Sequence, residues 1–132
     1  MGRDASSNPS GVHHITFRVA DIDRTARFFE SVLGWAVDTS TSDRCRLHLG
    51  KTRIVFRSPL PGTPRQGRFD EKRIGVDHVS LQVDSLDQLH ESANKLREAG
   101  VPTEGVKSES STGGHVVVFR DPDNVQWELY AE

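Results

Sequence analysis

The segment Val12-His13-His14-Ile15-Thr16-Phe17-Arg18-Val19-Ala20-Asp21-Ile22-Asp23 has a second version at residues 76–87, Val76-Asp77-His78-Val79-Ser80-Leu81-Gln82-Val83-Asp84-Ser85-Leu86-Asp87, with His14 and His78 in the same register. A chain that repeats a strand-like stretch followed by a helix start is one supersecondary unit used twice. Two copies related by a pseudo-twofold axis can turn equivalent positions toward one cavity, so His14 and His78 are candidates to share a site.

Residues 12–19 alternate as a half-buried strand does, with His13, Ile15, Phe17 and Val19 on one side and His14, Thr16 and Arg18 on the other. Asp21 can cap a helix whose apolar positions Ile22, Ala26, Phe29 and Leu33 have helical spacing, and Gly34 suits its end. Strands are expected near 35–39, at 44–49 and at 52–58, with Gly50-Lys51 as a tight turn. Residues 59–75 form an irregular, Pro- and Gly-rich linker, of the kind used as a lid, binding loop or dimer arm. The second unit repeats the order. A strand at 76–83 leads to a helix opened by the capping-box pair Ser85 and Gln88, with Leu86, Leu89, Ala93 and Leu96 as its apolar stripe. A strand near 101–106, a polar loop at 108–114 and strands at 115–119 and 125–130 complete it, with Asp121-Pro122-Asp123-Asn124 as the last turn. The expected fold is α+β: two βαβββ modules, 12–58 and 76–132, forming a curled mixed sheet around a central cavity. Residues 1–11, polar and without hydrophobic periodicity, are expected to be a disordered leader.

The 17 basic and 19 acidic residues are dispersed and leave a net charge of -2, which argues against a nucleic-acid partner. No apolar run approaches the roughly 20 residues of a membrane span, and the first residues lack a signal-peptide core, so the expected location is the cytoplasm, without membrane association. Cys45 is the only cysteine, which rules out an intrachain disulfide and a cysteine metal cluster. Any metal must be held by nitrogen and oxygen.

Each helix needs the apolar face of its own sheet, so the opposite faces must line whatever the sheets enclose. Those faces carry His14, Thr16 and Arg18, then His78, Ser80 and Gln82, then Gln126, Glu128 and Tyr130. Two neutral imidazoles and a carboxylate form a set that holds a divalent ion while leaving positions open for water, substrate or oxygen. Fe(II) is the first choice, and Mn(II), Zn(II), Ni(II) and Co(II) are compatible.

The stretches 14–19 and 78–83, together with Phe119-Arg120-Asp121-Pro122-Asp123-Asn124-Val125-Gln126-Trp127-Glu128-Leu129, resemble the vicinal oxygen chelate superfamily. That superfamily includes glyoxalase I, extradiol dioxygenases, fosfomycin-modifying enzymes and bleomycin-binding resistance proteins. The resemblance covers nearly all of residues 12–132. It implies that His14, His78 and Glu128 are metal ligands and that the protein is a metal-dependent dioxygenase or lyase. The substrate would chelate the ion through adjacent oxygens. It also implies a homodimer, with the site either within one chain or shared between two. Val55 stands where glyoxalase I-like members carry another glutamate, which argues against paired-carboxylate chemistry. The alternatives are a metal-free protein that binds a small molecule or antibiotic in the same cavity and, less favoured, a thiol transferase.

Other side chains qualify for supporting roles. His48 can serve as an acid, a base or a substrate anchor, and Tyr130 can hydrogen-bond a reacting oxygen. Arg18, Arg46, Arg53 and Arg57 suit an anionic substrate, and Phe69 can close over an aromatic one. His13 is expected to face away from His14, His90 to be solvated, and His115 to be a lid or solvated residue. Trp35, Trp127 and Cys45 are expected in the core.

Overall fold

Alternation in the sequence becomes alternation in burial. The computed structural model describes residues 5–64 and 66–132. The first segment forms β1 (His14–Arg18), in which Ile15 and Phe17 are partly buried while His14, Thr16 and Arg18 are exposed. The Asp21 carboxylate accepts from the Arg24 amide and starts α1 (Ile22–Arg27), and β2 (Val37–Thr41), β3 (Arg44–Leu49) and β4 (Thr52–Arg57) complete the first module. The second contains β5 (Val79–Gln82), α2 (Leu86–Glu98), β6 (Lys107–Glu109), β7 (Gly114–Arg120) and β8 (Gln126–Ala131). Both halves of the expected capping box are present at Ser85 and Gln88, a device worth about 1 kcal/mol.

The strands make two four-stranded sheets, ordered β1-β4-β3-β2 and β5-β8-β7-β6. In each sheet the first and last strands of the module run parallel and the other pairs antiparallel. The two-module expectation therefore holds, although the sheets do not close on each other within one chain.

Several boundaries differ from expectation. Helix α1 does not continue as an α-helix but widens into a π-helical turn at Phe28–Val32, with the Leu33 amide donating to the Phe28 carbonyl. That turn buries the neighbouring Phe28 and Phe29 against different partners, Phe119 and Trp127. The strand expected near 101–106 lies instead at Lys107–Glu109. Pro102 has no amide to donate, Gly105 takes a positive φ of 78°, and Thr103 Oγ1 binds the Val118 carbonyl, so this stretch cannot run as a ladder. Strand β5 is shorter than expected, leaving Asp77 and His78 just ahead of it. Of the leader, residues 1–4 lie outside the described residues and Ala5–Ser7 form one 3-10 turn.

The core lies between the sheets. Phe17 of β1 contacts Trp127 of β8 at 5.2 Å between ring centroids, and Phe29 and Phe56 pack on the same indole. Helix α1 packs on β3 and β4, and α2 on β7 and β8. The helix-bearing faces of both sheets therefore meet, and the polar faces turn outward. The Asp121–Asn124 turn ties the halves together. The Asp123 carboxylate accepts from the Ala20 amide and the Arg24 guanidinium, both at 3.0 Å, while its carbonyl accepts from the Phe69 amide. Among the described residues, no helix is long and apolar enough to cross a membrane.

Candidate functional site

On the outer face of the second sheet, β5 and β8 are paired in register with Ser80 opposite Glu128 and Gln82 opposite Tyr130. Ser80 Oγ donates to Glu128 Oε1 at 3.0 Å. His78 Nδ1 lies 2.7 Å from Asp77 Oδ1, and Gln126 Nε2 donates to that same oxygen at 3.2 Å. An ionised carboxylate can only accept, so Asp77 selects the tautomer with the proton on Nδ1. Nε2 then lies 3.6 Å from Glu128 Oε2, where it offers a lone pair to a cation or, when protonated, a proton to the carboxylate. Two acceptors held this close need a proton or a cation near both, and a carboxylate behind the outer nitrogen is the arrangement that orients metal-binding histidines. Asp77 and Gln126 carry this positioning. The repeat could have pointed to Asp77, which precedes the shared histidine.

His13 holds the equivalent place in the first module. It was expected to turn away, yet its Nδ1 lies 2.9 Å from His14 Nδ1 and the rings meet edge to face. The residue sits just ahead of β1, where strand alternation no longer dictates its direction. His14, exposed on the outer face of the first sheet, is not brought to His78 and Glu128. Among the described residues, no group of three metal-binding side chains comes together. The reason is the packing: Phe17 and Trp127 touch across the core, so residues of opposite parity, His14 on β1 and Glu128 on β8, point away from it.

Beside His14 is a pocket of about 260 Å³ lined by His13, Thr16, Val55 and four arginines, Arg44, Arg46, Arg53 and Arg57. Arg46 pairs with Asp38 at 2.9 Å, and His48 Nε2 is 3.7 Å from the same carboxylate. Arg18 donates to the Ser58 carbonyl. Tyr130 Oη donates to Thr112 Oγ1 at 2.8 Å, its ring lying over Gly114, where a Cβ would come within 2.6 Å of it. Cys45 is fully buried, and burial pushes its thiol up to about 11, which removes it as a nucleophile. Trp127 is buried as expected, and Trp35 stacks on Phe29. His115 is partly buried on β7, with Nδ1 unpartnered.

A larger, mostly apolar crevice of about 840 Å³ runs along the edge of β1 beneath the linker and includes Phe69, Val76 and Val79. Phe69 lines it and is held in place by its backbone, whose carbonyl also accepts from Asn124 Nδ2. The next clamp is Arg120, which donates to Glu71 and to Gln126. The hydrogen bond from Arg120 holds the Glu71 carboxyl below its ordinary value of 4.5. A depressed carboxylate stabilises the fold above its unfolded pKa and loses that contribution as pH falls through the lower, folded one. Acidification below 4.5 is therefore expected to loosen residues 69–71. The hydrogen-exchange protection factor of the Phe69 amide checks this: it should fall with pH in the wild type and be low throughout in Glu71→Gln.

Two sheets of βαβββ order with polar outer faces are the architecture seen in a known group of proteins. Residues 11–129 match the model of the Glyoxalase/Bleomycin resistance protein/Dioxygenase superfamily, and the chain belongs to that superfamily. It is 29% identical over 127 residues to the uncharacterized protein YwkD of Bacillus subtilis (strain 168), covering 92% of this chain and 96% of that one. It is 25% identical over 122 residues to the fosfomycin resistance protein FosX of Listeria innocua, covering 92% and 90%. Among solved structures, a glyoxylase/bleomycin resistance protein/dioxygenase domain from Frankia sp. EAN1pec superposes with a TM-score of 0.76 at 29% identity, covering 93% of this chain and 98% of that one.

Proposed function

We propose that the chain is a divalent-metal-dependent enzyme whose centre is completed between two copies, with His78 and Glu128 of one facing His14 of the other. The observation that carries this reading is the Asp77–His78–Glu128 line, in which an imidazole nitrogen backed by a carboxylate converges on a second carboxylate at 3.6 Å. The donor set of nitrogen and oxygen fits a first-row divalent ion, with Fe(II) first. Such an ion supplies Lewis acidity to two adjacent oxygens of a small-molecule substrate, or a place for dioxygen. The chain's own residues do the positioning: Asp77 fixes the His78 tautomer, Gln126 fixes Asp77, and Ser80 occupies one oxygen of Glu128 so that the other is free. Tyr130, on the same face as Glu128, and His48, on the face of His14, are the acid–base candidates. The divergence of His14 from Glu128 within one chain supports the homodimer, since a twofold pairing of copies can bring the two outer faces together.

Elemental analysis of anaerobically purified protein beside His78→Ala tests this. Near-stoichiometric metal in the wild type, lost in the variant, is the expected result. Absence of metal in the wild type after reconstitution with Fe(II), Mn(II), Ni(II), Co(II) and Zn(II) would favour a metal-free binding protein. Turnover that consumes a thiol instead of oxygen would mark a thiol transferase.

A further inference from the structure

The register of the first sheet places like charges side by side. Arg18, Arg57 and Arg44 are direct neighbours on β1, β4 and β3, and four residues along the same face His14, Arg53 and His48 form a second basic row. Between the rows lie Thr16, Val55 and Arg46. Like charges directly opposite one another weaken a sheet, so stability alone does not account for this face.

Its carboxylates do not neutralise it. Asp38 is committed to Arg46 and lies near His48. Asp43, in the turn before β3, is close enough for Arg57 and Arg44 to help hold its carboxyl down, behind the larger effect of the Thr41 hydroxyl, but it forms no ion pair with either. Arg18 is held by the Ser58 carbonyl. Among the described residues, no side-chain hydrogen bond or ion pair engages Arg44, Arg53 or Arg57. The buried Nε atoms of Arg44, Arg46 and Arg57 also lack acceptors.

We infer that this face is an anion-binding basin in which Arg44, Arg53 and Arg57, arranged around the apolar floor of Val55, grip a compact, doubly charged tetrahedral oxyanion of phosphate type carried by a small-molecule substrate. Three free guanidiniums match a dianion better than a monoanion in charge, and their planar forks suit several oxygens at once. The basin borders His14 and Thr16, so the gripped group would lie next to the centre proposed above. The substrate class rests on that proposal, whereas the anion binding does not require the metal.

The test is calorimetric titration of the full-length protein, as purified and after chelation, with inorganic phosphate and with acetate at mildly alkaline pH, where phosphate is doubly charged. Phosphate should bind at least about tenfold tighter than acetate, and Arg57→Gln and Arg44→Gln should each weaken phosphate about tenfold or more. Arg27→Gln, on α1, should bind as the wild type does. Circular dichroism on both basin variants separates loss of the site from loss of the fold. Equal binding of phosphate and acetate overturns the basin, as does wild-type phosphate affinity in both variants. Light scattering that shows these variants splitting a dimer while phosphate affinity is unchanged would make the arginines an interface and also overturn it. His78→Ala separates the two readings. Phosphate binding that survives metal loss supports the basin, and phosphate binding lost with the metal assigns the anion to the ion and overturns it. A wild type that binds phosphate but no metal would sink the metal reading alone.

Discussion

Mixing a His14→Ala chain with a Glu128→Ala chain, each unable to hold metal alone, should restore about a quarter of the wild-type metal content, because random exchange yields half heterodimers and each has one intact centre of two. The expectation follows from parity. Phe17 and Trp127 meet in the core, which sends His14 and Glu128 outward from different sheets, and no rotation of side chains reverses a strand's alternation. In the mixed dimer, one centre loses both altered ligands and the other keeps His14 from one chain with His78 and Glu128 from its mate. A centre formed within a single chain would give no recovery on mixing. The readout is metal per protein after co-refolding, with each variant alone as the blank. Both substitutions fall on outer sheet faces, where His14 is exposed and Glu128 partly so, and neither removes core volume.

Trp127→Ala should cost roughly 3–5 kcal/mol and leave little folded protein at ambient temperature, given the narrow stability of small domains. The indole is fully buried, and three rings from the first module, Phe17, Phe29 and Phe56, pack on it. Its Nε1 donates to Asp121 Oδ2 at 3.0 Å, while Asp121 Oδ1 accepts from the Asp123 and Val125 amides. Burial pushes the Asp121 carboxyl up, against the lowering effect of these hydrogen bonds. Deleting the indole therefore opens a cavity between the modules and strips a buried carboxylate of a donor. Trp127→Phe keeps most of the apolar contact and should lose considerably less, the remainder being the lost hydrogen bond. Urea denaturation of the three proteins measures both steps, and equal losses in the two variants would refute this division.

Much of the architecture was legible because it depends on local signals. The His14 and His78 repeat revealed the two modules, Asp21 and Ser85 marked the helix starts, and alternation identified the outward residues. Signals failed where tertiary contacts dominate. Two adjacent phenylalanines each found a core partner through the π turn at Phe28–Val32, which apolar spacing alone does not encode. Residues 101–106 look strand-like by composition, but Pro102 and Gly105 leave the ladder, and a Cβ at Gly105 would collide with the guanidinium of Arg97. His13 was assigned by strand parity although it precedes the strand. Within the candidate site, the outward direction of Arg53 and Arg57 was readable, whereas the in-register row with Arg44 was not, because neighbours across a sheet depend on register. Nor could alternation say whether two outward faces belong to one cavity. That depends on which side of the sheets the helices occupy.

The duplication is broken at its last turn. In the first module, β3 and β4 are joined by Gly50 and Lys51 alone, whereas the second spends residues 121–125 on the same connection. Those added residues hold Ala20, Arg24 and Phe69. The later half of the chain thus carries the grip and the earlier half is what it grips. As synthesis proceeds from the N-terminus, the first module must wait, with the sides of Phe29 and Phe56 that meet Trp127 uncovered, until β8 arrives to close over them.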